Sequence, residues 1–269
     1  MVPPRHLLWI GDSTATLEFQ LAAAETAAVI SLQQVPDVAT AIGQRAAEAA
    51  PEPTFVCLAE PRPGLICLAD VLAVSRRWPL ARMISVASCL ADGQRRSGPP
   101  LPGVVTVPWH DLPARLRYWL AELAAGRPGS LGLPLTARRD ERWQGQAGFA
   151  DPSQPRRRPR VTVAGDTTAT AEAVGDLVRV AGGEVVEQIT GRPPIAADCD
   201  CIVWDRGARL DGDLGWLQLL AGQQPERPII LLCSFPRGDA VTAARAAGAT
   251  AVLGRPADRE ALLGLLLTA

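Results

Sequence analysis

One short motif occurs twice in this chain of 269 residues. It reads Gly-Asp-Ser-Thr-Ala-Thr at residues 11–16 and Gly-Asp-Thr-Thr-Ala-Thr at residues 165–170. Each copy follows a short apolar run, residues 7–10 and 161–164, and precedes an alanine-rich segment. An apolar run, a tight polar turn and a helical segment together form a strand-turn-helix unit, and a unit that recurs indicates a repeated fold. We therefore expect two similar α/β domains.

The rest of each half alternates strand-like and helix-like segments. The predicted strands are residues 7–10, 28–32, 54–59, 82–87 and 104–107, then 161–164, 184–187, 201–204, 228–233 and 250–253. Such alternation predicts right-handed crossovers and parallel sheets covered on both faces. The predicted fold class is α/β, with two doubly wound five-stranded parallel sheets. We place the domains at 1–125 and 160–269, with a Pro/Arg-rich linker at 126–159.

Three predicted helices and one connection without a full helix complete this outline. The pattern predicts helices over residues 14–24 and 38–50, and a core-facing stripe of leucines and Trp119 predicts the last helix of the first half. The connection 189–197 is short and contains two consecutive prolines. We expect a helix there to be reduced or absent.

Composition excludes several classes of function. The formal net charge of -1 argues against a general nucleic-acid binder. The arginines at 156–158, with Arg160, could contact a nucleic acid or an acidic surface, but we favour the interpretation that they belong to a solvated linker. No apolar run approaches the roughly eighteen residues of a membrane span, and the first residues do not resemble a signal peptide. We expect a cytoplasmic protein without a membrane partner.

The sequence contains neither lysine nor asparagine, so all 27 basic residues are arginine. This excludes a P-loop lysine, a Schiff-base lysine and a catalytic asparagine. The six cysteines include no Cys-x-x-Cys pair, which argues against a metal cluster. We expect most of them to be buried, reduced thiols.

The second half resembles the receiver domain of bacterial response regulators, over about residues 160–269. The resemblance is carried by Pro-Ile-Ile-Leu-Leu-Cys-Ser at 228–234, Ala-Ala-Gly-Ala at 246–249 and Val-Leu-Gly-Arg-Pro at 252–256. These segments look like the fourth strand, the end of the fourth helix and the fifth strand of a receiver. The first half resembles the same family more weakly. The resemblance implies tandem CheY-like, flavodoxin-like domains.

In that family an aspartate after the third strand accepts a phosphoryl group with the help of Mg²⁺. By position Asp205 would be the acceptor and Asp166 one of two metal-binding acids, with Gly165 where the other acid belongs. The resemblance thus leaves Asp166 and Asp205 as candidates for weak Mg²⁺ binding only, and we expect no other cofactor.

The remaining receiver positions are also altered. Cys233 or Ser234 lies where a Ser or Thr binds the phosphoryl group, and Arg255 replaces the family lysine. Arginine is larger than lysine and its planar fork holds charge differently. The resemblance therefore implies a degenerate switch in the second half.

The first half departs further from the family. Asp12 is again the one acid after the first strand, and Glu60 occupies the acceptor position. Ala87 or Ser88 occupies the hydroxyl position and Val107 the lysine position. Glu60 could either imitate a phosphorylated aspartate or simply cap its loop.

A second resemblance concerns the first motif alone. Residues 11–13 read Gly-Asp-Ser, as in the nucleophile block of GDS-type serine hydrolases. Those enzymes need an asparagine in the oxyanion hole and a histidine base near the C-terminus. Here asparagine is absent and the histidines are His6 and His110. We interpret His110 as an ordinary surface or capping residue at a helix start.

The hypothesis that follows is a non-enzymatic signalling or scaffold protein of two pseudo-receiver domains. Its partners would be proteins, such as a sensor kinase or a signalling complex, and a homodimer stays open. The alternative is a response regulator that accepts a phosphoryl group on Asp205.

Overall fold

The computed structural model describes residues 5–43, 52–92, 101–127, 158–208 and 211–267. The strands of the first half are His6–Ile10 (β1), Ser31–Val35 (β2), Phe55–Glu60 (β3), Arg82–Ala87 (β4) and Val104–Pro108 (β5). Its helices are Leu17–Ala27 (α1), Val38–Gly43 (α2), Leu68–Arg77 (α3), Cys89–Asp92 (α4) and Leu112–Ala124 (α5).

The second half follows the same alternation. Its strands are Arg160–Gly165 (β6), Glu184–Thr190 (β7), Cys201–Gly207 (β8), Ile229–Cys233 (β9) and Ala251–Gly254 (β10). Its α-helices are Thr168–Val180 (α6), Leu214–Gln223 (α7), Gly238–Ala246 (α8) and Arg259–Leu266 (α9). The described connection between β7 and β8 contains no helix, as the paired prolines predict.

Both sheets have five parallel strands in the same order. The first runs β2-β1-β3-β4-β5 and the second runs β7-β6-β8-β9-β10. This is the doubly wound, flavodoxin-like order, which CheY also has. The predicted pair of doubly wound, five-stranded parallel sheets is therefore confirmed.

The central strands are apolar because helices cover both faces of a parallel sheet. All five residues of β1 and all six of β3 are buried. On β2 and β7, one edge strand of each sheet, most positions are exposed or partly buried. Polar and charged side chains on these two strands reduce the tendency of an open edge to pair with another chain.

The first helix and the second strand begin three residues later than predicted. Asp12 Oδ1 accepts hydrogen bonds from the backbone N–H and the hydroxyl of Thr14, at 2.8 and 2.6 Å, which keeps this segment in a turn. Thr16 then caps α1 by accepting from Phe19 N. At the other end, Ile30 N donates to Thr26 O. The prediction of a strand at 28–32 was therefore wrong at its start.

The chain divides into two compact units, Met1–Leu112 with Glu122–Ala150 and Pro113–Ala121 with Asp151–Ala269. Most of α5 thus belongs to the second unit. The predicted domain boundaries stay a prediction. The part of the predicted helix beyond Gly43, and almost all of the predicted linker, lie outside the described residues.

Within the second unit, α5 is held by a buried polar cluster. Arg115 donates to Glu260 at 2.6 Å, and Trp119 Nε1 donates to the same carboxylate at 3.0 Å. Asp258 begins α9 by accepting from the backbone N–H groups of Glu260 and Ala261. A side chain at Gly264 would overlap the Ala114 carbonyl, so the glycine permits close helix packing.

All six cysteines are free. Cys57, Cys201 and Cys233 are buried, as expected, whereas Cys67 is exposed and two others are partly exposed. No helix in the described part of the chain is long and apolar enough to cross a membrane.

Candidate functional site

The candidate site of the second unit lies at the carboxyl ends of β6 and β8. In doubly wound sheets ligands bind at this edge, where the strand order reverses. Gly165 ends β6 and Asp166 follows it, while Asp205 lies near the end of β8 on the neighbouring strand. The structure therefore brings Asp166 and Asp205 to one rim, as the sequence predicted.

A β-bulge shapes this rim. Asp205 is in register with Leu232, but Gly207 is in register with Cys233, so Arg206 is an extra residue on β8. A bulge changes the direction of the side chains beside it. The sequence prediction ended this strand at Trp204, and the structure extends it through the bulge to Gly207.

The Arg206 side chain turns onto the acidic rim. Its guanidinium pairs with Asp166 Oδ1 at 2.8 Å and also pairs with Asp213. It packs over the Trp204 ring, 4.9 Å from the ring centroid, and is 12 % exposed. Arg192 contributes a further guanidinium to Asp213 at 2.6 Å. The carboxylates at this rim are thus neutralised by arginines of the same unit.

Asp205 is almost fully buried. One carboxylate oxygen accepts from Gly207 N at 2.9 Å, and the other pairs with Arg255 Nε at 3.1 Å. Burial raises the pKa of Asp205 above its ordinary value, and Asp166 raises it further. The Gly207 hydrogen bond and the positive charges of Arg255 and Arg206 oppose this increase.

Because Gly207 has no side chain, the side chains of Arg255 and Asp166 can lie close to its backbone. Its φ of 53° lies in the left-handed region. A Cβ there would lie 3.2 Å from Arg255 Nη1 and 3.4 Å from Asp166 Oδ2. Arg255 and Asp166 therefore converge beside this glycine, together with the carboxylate of Asp205.

The residues present do not fit Mg²⁺. This ion prefers octahedral oxygen ligands and is bound by well-placed carboxylates. Here Asp166 and Asp205 each pair with an arginine, and Gly165 offers no side-chain ligand. In the described part of the chain no group of three or more His, Cys, Asp or Glu side chains is placed to hold a metal ion.

The predicted hydroxyl position is divided between two residues. Cys233 ends β9, is buried, and its thiol contacts the Ser234 carbonyl at 3.4 Å. Ser234 is the first residue beyond the strand, and its N–H donates to Gly207 O at 2.7 Å. The structure therefore places Ser234, rather than Cys233, in the loop beside the bulge.

The corresponding position of the first unit holds a buried glutamate. Glu60 is the last residue of β3 and is 6 % exposed. Ser85 on β4 donates to its carboxylate at 2.9 Å. Ser88, which shares the predicted hydroxyl position with Ala87, donates to the Pro61 carbonyl at 2.8 Å. Val107 is buried within β5.

Neither histidine contacts Ser13 by a hydrogen bond, although all three residues are described. His6 contacts Ser31 and Gln33, and His110 Nδ1 lies 2.8 Å from Asp111 Oδ1. Ser13 pairs with Gln34. Of the two alternatives for His110, the surface residue was wrong, because its side chain is only 7 % exposed. The capping alternative stays a prediction.

Sequence reasoning missed Arg206, Asp213 and Ser85 as site residues. Arg206 was missed because a strand pattern does not reveal a bulge. Asp213 was missed because it lies eight positions after Asp205, in a short 3-10 helix just before α7 that no sequence motif marks. Ser85 could have been found from the expected pairing of strands three and four, since it lies on the strand beside Glu60.

Similar solved structures extend over about two fifths of this chain. A chemotaxis protein of Vibrio cholerae, CheY4, shows 24% identity and a TM-score of 0.36, and the match covers 41% of this chain and 98% of that one. A response regulator of Thermotoga maritima shows 18% identity and a TM-score of 0.35, with 41% and 96% covered. A protein described as pilus assembly-related, from Burkholderia pseudomallei, shows 22% identity and a TM-score of 0.36, with 40% and 86% covered.

No protein-family model matches the sequence, and no curated protein matches it.

Proposed function

We propose that this chain is a non-enzymatic signalling or scaffold protein of the cytoplasm. Its two receiver-type units would act as pseudo-receivers, through contacts with other proteins. The observation that carries this proposal is the bridge from Arg206 to Asp166 and Asp213. A phosphoryl-accepting site needs carboxylates that are free for a metal ion, and here a guanidinium occupies them.

The first unit supports the same proposal by a different route. Glu60 has a longer side chain than the aspartate of the family at this position, and its carboxylate is already bound by Ser85 inside the unit. A buried carboxylate with a hydrogen-bond donor stabilises one arrangement of the rim. We therefore propose that both units hold a fixed conformation and offer constant surfaces to partners.

A second candidate function keeps Asp205 as a phosphoryl acceptor. One observation favours it, since Arg255 contacts the Asp205 carboxylate from the position of the family lysine. In that case Arg255 would bind the transferred phosphoryl group.

Incubation of the full chain with Mg²⁺ and acetyl phosphate, followed by intact-mass measurement, separates the two candidates. We expect no species heavier by one phosphoryl group. Asp205→Asn is the control for nonspecific acyl phosphate on other carboxylates. A stoichiometric adduct that this substitution abolishes would establish the second candidate and overturn the first.

A further inference from the structure

Phe235 has a strained backbone conformation at the rim of the second site. Its φ is 52°, and it is the one residue other than glycine with positive φ in the described part of the chain. Bulky side chains rarely adopt this conformation. Pro236 follows, and a proline favours extended backbone at the residue before it. Two local preferences therefore oppose the observed geometry.

Packing within the unit does not explain this geometry. The Phe235 side chain is 72% exposed. The backbone on either side is fixed, because Ser234 N donates to Gly207 O at 2.7 Å and Val241 N donates to Arg237 O at 2.9 Å. The fold thus holds an aromatic ring in solvent by means of a strained residue. Strained backbone of this kind is concentrated at functional positions.

The charged side chains near Phe235 indicate the kind of partner surface that its ring would contact. Gly254 is in register with Cys233, so Arg255 and Ser234 leave the sheet side by side. The Arg255 side chain is 37% exposed, whereas the Asp205 carboxylate that pairs with it is 3% exposed. The guanidinium of Arg255 is therefore partly accessible at the surface, whereas the carboxylate of Asp205 is not.

Arg237, two residues from Phe235, is also exposed. Its side chain is 75% exposed, and its contact with the exposed Asp239 is 3.4 Å long. A surface ion pair of this kind contributes little and can rearrange. Arg237, two residues along the chain, and Arg255, on the neighbouring strand end, therefore place partly exposed guanidinium groups on the segments that adjoin Phe235.

We propose that Phe235 is the anchor of a docking surface for another protein, one that offers an apolar pocket bordered by carboxylates. Aromatic and arginine side chains are the residues that most often dominate binding at protein interfaces. A second copy of this chain would bring the arginines of two such surfaces together, which like charge opposes. This inference rests on the proposed function and names the surface through which the second unit acts.

The test begins with the full chain in the cells that produce it. A photo-crosslinking phenylalanine analogue replaces Phe235, and in a control protein the same analogue replaces Val180, which is 61% exposed at the end of α6. We expect a covalent adduct with a different protein from position 235 only, at a peptide with Asp or Glu beside apolar residues. An adduct with a second copy of the chain, an adduct equally strong from position 180, or no adduct would overturn the proposal.

A second measurement uses the captured protein after purification. Phe235→Gly should weaken its binding at least about ten-fold, while Val180→Gly leaves binding nearly unchanged. The melting temperature of Phe235→Gly should not fall, because glycine adopts positive φ freely. Equal binding by Phe235→Gly, or a marked loss of its stability, would contradict the proposal. Phosphorylation of Asp205 would defeat the proposed function without removing the crosslink, so the two failures are distinguishable.

Discussion

Arg115→Met tests the buried ion pair that holds α5 in the second unit. The Arg115 and Glu260 side chains are 5% and 4% exposed, and their charged groups are 2.6 Å apart. Removing one partner of a buried pair leaves a desolvated charge, at a cost of about 3–5 kcal/mol. Methionine retains most of the aliphatic packing, and Trp119 still donates to Glu260. We therefore expect the free energy of unfolding to fall by about 3 kcal/mol, at the lower end of that range.

Urea denaturation of the full chain, followed by circular dichroism, measures this change. The matched control is Arg179→Met, because Arg179 pairs with Asp176 on an exposed surface and should contribute less than about 1 kcal/mol. The double variant Arg115→Met with Glu260→Gln removes both charges and should recover most of the loss. If Arg115→Met cost no more than the exposed control, the assignment of a buried, energetically important pair would be refuted.

Two further changes test the packing and the electrostatics of the second unit. Gly264→Ala should destabilise the chain by more than about 1 kcal/mol, because its Cβ would meet the Ala114 carbonyl, whereas Gly215→Ala has open space on α7 and should stabilise by about 0.5–1 kcal/mol. Denaturation midpoints of the two variants decide this, and equal effects would contradict the close helix contact. Burial raises the pKa of Asp205 in the folded state above the ordinary value of 3.8, so the folded state binds this proton more tightly than the unfolded state does. The stability that the proton provides is fully present below pH 3.8 and is lost as pH rises through the folded pKa. Asp205→Asn should therefore raise the melting temperature at neutral pH and have less effect in acid, and a gain that does not depend on pH would contradict the shift.

The order of the elements could be predicted from the sequence because each central strand is a continuous apolar run. Strands β1 and β9 lie close to their predicted positions for this reason. The edge strand β2 was misplaced because Gln33 and Gln34 interrupt its apolar pattern. Its position depends on pairing with β1, which periodicity does not report.

The candidate site was predictable in position but not in its contacts. A parallel sheet brings the ends of neighbouring strands together, so Asp166 and Asp205 could be assigned to one rim. The pairing with Arg206 depends on a one-residue bulge, and no local signal marks it. The assignment of α5 to the second unit also lay beyond the sequence, since a stripe of apolar residues does not specify the surface against which it packs.

The most direct measurement of the central claim is a Mg²⁺ titration of the wild-type chain, monitored by the fluorescence of tryptophan. Trp204 lies under Arg206, so a metal ion that displaced this guanidinium from Asp166 would change the emission. Asp166→Asn serves as the control, because it removes the carboxylate and leaves the ring in place. We predict no saturable change at millimolar Mg²⁺ in either protein. A saturable response in the wild type that Asp166→Asn abolishes would show that the rim still binds the metal and would contradict the account.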